Sequence, residues 1–171
     1  MTDFLTLAQA RYSCRRFADT PVSDDDLQYI LEAGRVAPTA CNKQPQRVHV
    51  LRSGEALEKL RLCTRCHFGC SVALLVCYDV RESWKRGYDG QDSGWVDASI
   101  VTTHMMLAAH EKGVENTWVM HFDPAAAREQ FALPENEIPV AILVMGHPAE
   151  EAAPGPMHAD NKPLEDTVTY R

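Results

Sequence analysis

The chain has 171 residues, a net charge of −7 and a pI near 5.4, with 45% hydrophobic and 24% charged residues. These values are typical of one soluble globular domain spanning residues 1–171, and the acidic balance disfavours DNA or RNA as a partner. No run approaches the ~20 apolar residues of a membrane span, and the first residues lack the apolar core of a signal peptide. We therefore expect a cytoplasmic protein whose six cysteines are mostly reduced thiols.

The first half of the chain predicts helices and strands in alternation. Ser23 followed by three aspartates indicates a helix start, because serine caps the first turn and acids favour the positive end of the helix dipole. Gly34 can close that helix. A continuous apolar run over residues 72–78 predicts a buried strand near the end of this half of the chain. The predicted helices cover residues 2–10, 23–34 and 53–62, and the strands cover 47–51 and 72–78.

The second half contains a helix that is apolar over most of its surface, so it should be central. Asp123-Pro124 predicts a further helix start, with proline at the first helical position. From His147 onward the chain is rich in proline and lacks periodicity, which predicts an extended arm. The predicted elements are a loop over 81–96, the central helix over 97–112 ended by Gly113, strands over 116–120 and 139–145, and a helix over 124–131. The mixture indicates an α+β or α/β layered domain.

Residues 63–70, CTRCHFGC, form a cluster of three cysteines and a histidine. Cys63, Cys66 and His67 match the attachment pattern of a c-type haem, but the missing export signal disfavours covalent haem. A zinc or iron–sulfur site or a redox switch that includes Cys70 stays open. Free thiols are the default in a reducing compartment.

The remaining titratable residues give weaker signals. His104 and His110 lie six residues apart on the central helix and cannot chelate one ion. The other histidines considered, at 121, 147 and 158, are scattered. Asp97 is expected to cap the central helix rather than to act as a catalytic acid.

The dinucleotide fingerprint G-x-G-x-x-G and the phosphate loop G-x-x-x-x-G-K are both absent. Side chains must therefore hold any nucleotide phosphate. If residues 11–17, RYSCRRF, are extended, then Arg11, Ser13 and Arg15 share one face. Two guanidinium groups and a hydroxyl are a suitable phosphate clamp, since arginine forms bidentate, charge-assisted bonds. The alternative is a solvated basic turn.

Residues 36–46, VAPTACNKQPQ, connect a predicted helix to a predicted strand. Asn42 and Gln44 can both donate and accept hydrogen bonds, which suits the polar edge of a heterocycle. Pro38 and Pro45 stiffen the segment. The alternative is a plain connection.

Taken in order, these segments resemble the nitroreductase family of flavoproteins. The resemblance covers nearly the whole chain. It rests on Arg11, Ser13, Arg15 and Phe17; on PTACNKQP at 38–45; on AAHEKG at 108–113; on WVMHFD at 118–123; and on Gly146.

The resemblance implies an α+β, three-layer fold with a mostly antiparallel central sheet and a C-terminal arm exchanged in a homodimer. It implies FMN at two sites on the dimer interface. Arg11, Ser13 and Lys162 would hold the phosphate and ribityl end, and Arg15 would lie near the N1/C2 edge of the flavin. Contacts with the flavin ring would come from Pro38, Thr39 and Ala40 of the other subunit, from Asn42 and Gln44 at its edge, and from the backbone of Trp118, Val119, Met120 and His121 beside N5.

The resemblance further implies an NAD(P)H oxidoreductase that passes hydride through FMN, by ping-pong turnover, to a flat acceptor such as a nitroaromatic or a quinone. Trp84, Tyr88 and Trp95 would form a lid over the substrate pocket, or pack in the dimer. Asn161 departs from the family pattern, which often has arginine before the lysine at 162. The alternatives are a thiol or metal redox module using Cys63, Cys66, His67 and Cys70, and a non-catalytic flavin-binding protein.

Overall fold

The computed structural model describes residues 3–171, in which five α-helices and four β-strands alternate. Two short 3₁₀ turns cover Ala40–Asn42 and Leu164–Asp166. The helices are α1 (Phe4–Ala10), α2 (Asp24–Arg35), α3 (Gly54–Cys63), α4 (Gly94–Glu111) and α5 (Pro124–Gln130). The strands are β1 (Gln46–Leu51), β2 (Val72–Asp79), β3 (Glu115–Val119) and β4 (Glu137–Gly146).

The four strands form one antiparallel sheet in the order β1-β2-β4-β3. Side chains alternate between the two faces of a strand, so β2 contributes to two cores. Leu74 and Val76 pack with α2 and α4 on one face, whereas Leu75 and Cys77 pack with α3 and α5 on the other. The α+β class and the three-layer arrangement are therefore confirmed.

Side-chain caps start the helices where the sequence predicts them. The Ser23 hydroxyl accepts a hydrogen bond from the Asp26 amide at 3.0 Å, and Ser53 does the same for Ala56 at 3.1 Å. Asp123 caps α5 in front of Pro124. Gly113 follows α4 with a φ of +70°, the left-handed conformation that ends many helices. These local signals depend on neighbouring residues only, which is why the sequence reveals them.

Three predicted boundaries are wrong. Gly34 does not close α2, which continues to Arg35; instead, Gly34 is buried where α2 crosses α4, and an added Cβ would lie 2.8 Å from Met105. The predicted loop over 81–96 is shorter, because α4 already begins at Gly94. The strand predicted over 116–120 is Glu115–Val119, shifted by its register with β4. Each error concerns a place where tertiary packing decides the boundary.

The segment after α1 lies along the sheet edge beyond β3 and then meets the chain that follows β4. Ser13 forms a parallel bridge with Asn116, and Phe17 pairs with Pro148 in the antiparallel sense. From 150 onward the described chain contains turns, including one at 156–159, and one 3₁₀ turn, but no α-helix or strand, as predicted for an arm. Its exchange between two subunits stays a prediction. Within residues 3–171, no helix combines the length and apolar character that crossing a membrane requires.

Candidate functional site

Residues 11–17 are extended, as the clamp hypothesis requires. The Cys14 amide donates to the Asn116 carbonyl at 3.0 Å, and the Thr117 hydroxyl donates to the Cys14 carbonyl. Cys14 is fully buried, so this segment is fixed to the edge of β3. Because alternate side chains of an extended segment point in opposite directions, Arg11, Ser13 and Arg15 are turned away from the core.

These three side chains line one cavity of about 450 Å³ together with Tyr12 and with residues 155–158 of the arm. The Tyr12 and His158 rings meet edge to face, with centroids 6.4 Å apart. Along residues 3–171, no carboxylate forms an ion pair with Arg11 or Arg15. Two guanidinium groups without a carboxylate partner and a hydroxyl facing one cavity fit an anionic group such as a phosphate.

A buried acid lies behind the clamp. Glu115 is 7% exposed, and its carboxylate lies 2.9 Å from His110 Nδ1. Burial raises the pKa of Glu115, and the hydrogen bond to His110 and the nearby Arg11 guanidinium only partly offset that rise. Burial likewise raises the pKa of Tyr12 to about 12, so its phenol is neutral at physiological pH. The lining of the cavity therefore contributes two guanidinium groups and no carboxylate, and Glu115 is not part of that lining.

The 38–45 segment is a tight, ordered turn. Cys41, Asn42 and Gln44 all have φ near +50°, which side-chain-bearing residues seldom adopt. The Thr39 hydroxyl accepts a hydrogen bond from the Gln44 amide at 3.0 Å and closes the turn. Asn42 and Gln44 are exposed, and the Gln44 side-chain amide donates to the Asn42 carbonyl at 3.3 Å, so a ligand or another subunit would compete with this bond.

Asp97 does not cap α4, because Ser93 occupies the N-cap position. One Asp97 oxygen accepts from the Ser93 hydroxyl at 2.7 Å, and the other accepts from the Ala40 amide at 2.8 Å. Asp97 is only 1% exposed. Its carboxylate therefore holds the 38–45 turn against the start of α4, a role that sequence reasoning missed since the partner lies 57 residues away.

The segment after β3 is held by the cysteine-rich loop. The Thr64 hydroxyl donates to the His121 carbonyl at 2.6 Å, and the Asp123 amide donates to the Cys63 carbonyl at 2.8 Å. Trp118 is half-buried, whereas Met120 and His121 are exposed. Residues 61–65 and 121–123 line a common cavity of about 410 Å³. The start of CTRCHFGC thus positions the backbone at 121–123, which its sequence does not reveal.

Within one chain, the predicted cofactor residues fall into separate groups. The cavity that contains the clamp does not include Lys162, the 38–44 turn or residues 118–121. Lys162 is exposed on the arm, next to Asn161, which lines a neighbouring cavity with Arg11. Whether a second subunit unites these groups stays a prediction.

The three aromatic residues proposed for the substrate pocket do not line one cavity. Residues 84–93 form a small hairpin in which Lys85 pairs with Asp92. Trp84 is half-buried at its base, and Tyr88 is fully exposed at its tip. Trp95 belongs to α4, where it borders an apolar groove of about 420 Å³.

The cysteine cluster does not form a metal site. Among the residues that the structure describes, no three of Cys63, Cys66, His67 and Cys70 bring their ligand atoms within 4.8 Å of one another. All six cysteines are free thiols. Burial raises the pKa of Cys70 to about 11, which makes it a poor nucleophile. The metal site suggested by the sequence therefore lacks the required geometry, whereas a thiol redox role for these residues stays a prediction.

Comparison with known proteins gives one consistent result. The sequence model described as "Nitroreductase family" matches residues 8–68 and 64–147. A protein of Archaeoglobus fulgidus, described as a candidate NADH dehydrogenase/NAD(P)H nitroreductase, is 33% identical over 161 residues, which cover 88% of each chain.

Solved structures agree with the sequence match. A nitroreductase family protein from Clostridium difficile superposes with a TM-score of 0.94 at 39% identity, covering 99% of this chain and 98% of the other. A candidate nitroreductase from Exiguobacterium sibiricum, solved in complex with FMN, has a TM-score of 0.86 at 19% identity, covering 100% and 98%. At that identity the second likeness concerns the fold alone.

Proposed function

The chain belongs to the nitroreductase family of oxidoreductases, and on this premise we propose that it is an FMN-dependent NAD(P)H oxidoreductase. The proposed acceptor is a flat molecule such as a nitroaromatic or a quinone. The observation that carries the proposal is the cavity in which Arg11, Ser13 and Arg15 converge without a carboxylate partner. The FMN complex of the Exiguobacterium sibiricum relative supports the choice of cofactor.

The residues of the chain would bind and orient the cofactor. When bound, FMN supplies the hydride relay from NAD(P)H to the acceptor by ping-pong turnover. Arg11 and Ser13, with Lys162, would hold its phosphate and ribityl end by charge-assisted hydrogen bonds. Arg15 would place a fixed positive charge at the N1/C2 edge of the ring, where it favours negative charge.

The remaining groups would come from two turns. The 38–45 turn, fixed by Asp97, would contribute Pro38, Thr39 and Ala40 to a site on the second subunit, with Asn42 and Gln44 at the ring edge. Backbone groups of residues 118–121, held by Thr64, would lie beside N5. Fixed donors and acceptors of this kind avoid reorganisation during hydride transfer.

Replacement of both clamp arginines tests the proposal. We expect Arg11→Ala with Arg15→Ala to weaken FMN binding by at least about 100-fold, because each charge-assisted hydrogen bond contributes about 1.5–3 kcal/mol. The measurement is the flavin released on heating the purified protein. Arg35→Ala with Arg52→Ala is the matched control, since both arginines are exposed and paired with acids elsewhere.

Two outcomes would overturn parts of the proposal. Full flavin content in the clamp variant would show that another surface binds FMN. Flavin-loaded wild-type protein that fails to oxidise NADH or NADPH with a quinone or nitroaromatic acceptor would instead indicate a non-catalytic flavin-binding protein.

A further inference from the structure

A second cluster of ligand-type side chains lies on the opposite face of the sheet from α4. His49, Cys77 and Glu137 each offer one donor atom, and the three atoms lie within 4.8 Å of one another. His49 Nε2 and Glu137 Oε2 are 2.7 Å apart. This group belongs to none of the cavities that contain the proposed FMN contacts.

The sheet register explains how distant residues meet there. His49 is on β1, Cys77 on β2 and Glu137 at the start of β4, which are three adjacent strands. His49 pairs with Leu75 and Glu137 pairs with Asp79, so both are diagonal neighbours of Cys77. Long side chains can reach across such a diagonal. A register shift between Val76 and Cys77 further alters the local direction of the side chains.

We propose that His49, Cys77 and Glu137 bind one divalent metal ion of the zinc type and so join strands β1, β2 and β4. Thiolate, imidazole and carboxylate are the three groups that bind zinc in proteins. Three protein ligands leave the fourth tetrahedral position for water. Solvent can supply that water, because the His49 side chain is 33% exposed and the Glu137 side chain 12% exposed.

The charges and distances are compatible with such an ion. A thiolate and a carboxylate together neutralise a divalent cation. In the ion-free protein, burial and then Glu137 raise the pKa of Cys77 to about 12, so the thiol carries its proton. Coordination replaces that proton by the metal, and the proton passes to solvent. The His49–Glu137 separation would open to roughly 3.3 Å for tetrahedral bonds of ordinary length.

One neighbouring positive charge opposes the ion. The Arg128 guanidinium lies near enough to lower the pKa of Cys77. However, its Nη2 donates to the Glu137 carbonyl at 2.7 Å and its Nη1 to the Pro134 carbonyl at 2.6 Å. Arg128 is therefore directed at backbone oxygens rather than at the cluster, and its hydrogen bonds also fix the start of β4.

Metal titration of the whole, flavin-loaded protein tests the proposal. Zn²⁺ is added to one equivalent and free ion is removed by dialysis. Co²⁺ is then used as a spectroscopic substitute, because tetrahedral cobalt absorbs in the red, where oxidised flavin does not. We expect one equivalent of retained Zn²⁺ and a red cobalt band. Binding should weaken by more than about 100-fold in Cys77→Ser and in His49→Gln, since even outer-shell partners are worth 10–100-fold.

Cys70→Ser is the matched control, because Cys70 is another buried thiol on the same face of the sheet. Glu137→Gln serves as a further variant at a partly exposed position, should loss of the buried thiol disturb folding. Three results would overturn the proposal: no Zn²⁺ retained by the wild type, equal retention in Cys77→Ser and His49→Gln, or loss of binding in Cys70→Ser. None of them depends on hydride transfer, so the proposed oxidoreductase activity is tested separately.

Discussion

Asp79 shows how a single side chain closes the end of β2. Its two carboxylate oxygens accept hydrogen bonds from Arg81, through Nε at 3.1 Å and Nη2 at 2.8 Å. The side-chain amide of Asn136 donates a third, at 2.8 Å. Arg47 lies 3.8 Å away. The hydrogen bonds from Arg81 hold the pKa of Asp79 at about 2, although burial acts in the opposite direction. Asp79 is thus charged at any physiological pH and links β2 to the segment before β4.

This lowered pKa predicts an acid-dependent loss of stability. The folded pKa, about 2, is below the unfolded value of 3.8, so the stabilisation is complete above 3.8 and is lost as pH falls towards 2. Asp79→Asn should lower the free energy of unfolding by about 2 kcal/mol at pH 6, because charge-assisted hydrogen bonds are lost. It should also flatten the pH dependence between 3.8 and 2.

Urea denaturation at several pH values measures both effects. Asp19→Asn is the control, since Asp19 is exposed and forms no ion pair within residues 3–171. If the free energy of unfolding of Asp79→Asn decreases between pH 3.8 and 2 as steeply as that of the wild type, Asp79 is not the source of the acid-dependent loss.

At the scale of elements, α4 owes its position to close backbone contacts. At Gly94 an added Cβ would lie 2.0 Å from the Tyr78 ring, and at Gly34 it would lie 2.8 Å from Met105. The first contact fixes the start of α4 on β2, and the second sets the separation of α2 and α4. An aromatic ring packed between strand and helix cannot move as easily as the end of a methionine side chain.

Gly94→Ala should therefore destabilise the protein by about 2–3 kcal/mol, the upper part of the usual range of about 1–3 kcal/mol for overpacking. Asp97 lies at the same end of α4 as Gly94 and holds the 38–45 turn. A displaced helix start should therefore disturb this turn and lower the flavin content as well. Thermal unfolding and bound flavin are the measurements.

Gly87→Ala is the matched control, because nothing lies within 4 Å of its added Cβ. Its stability should change by less than about 0.5 kcal/mol. Equal stability of the two variants would mean that Tyr78 adapts to the new methyl group.

At the scale of the whole molecule, the outer face of α4 carries apolar surface that could serve the proposed homodimer. Trp95 and Val96 are 45% and 56% exposed, and they border an apolar groove with Ile100. Exposed apolar surface on a long helix is typical of protein–protein contacts. Homodimerisation through this face would bury it and is the arrangement that we propose.

Val96→Asp should then weaken dimerisation by at least about 100-fold, because an unpaired charge would be buried in the interface. Sedimentation at several protein concentrations measures this shift. Leu62→Asp is the control, since Leu62 is 67% exposed on α3, across the sheet. A dimer that persists unchanged in Val96→Asp would place the interface elsewhere.

The sequence by itself determined the features that depend on near neighbours. The caps at Ser23, Ser53 and Asp123 were predictable because each acts within one turn of its helix. The convergence of Arg11, Ser13 and Arg15 was predictable because alternate residues of an extended segment share one face, although Tyr12 also reaches the same cavity. The family likewise followed from ordered local motifs.

Only the tertiary structure decided the features that join distant segments. The hydrogen bond from Ala40 to Asp97 spans 57 residues, and the contact between His49 and Glu137 spans 88. Such neighbours depend on strand order, register and helix crossing, which burial of the whole core determines at once. No local pattern encodes them, which is why the sequence drew attention to CTRCHFGC while the ligand-type side chains converge at His49, Cys77 and Glu137.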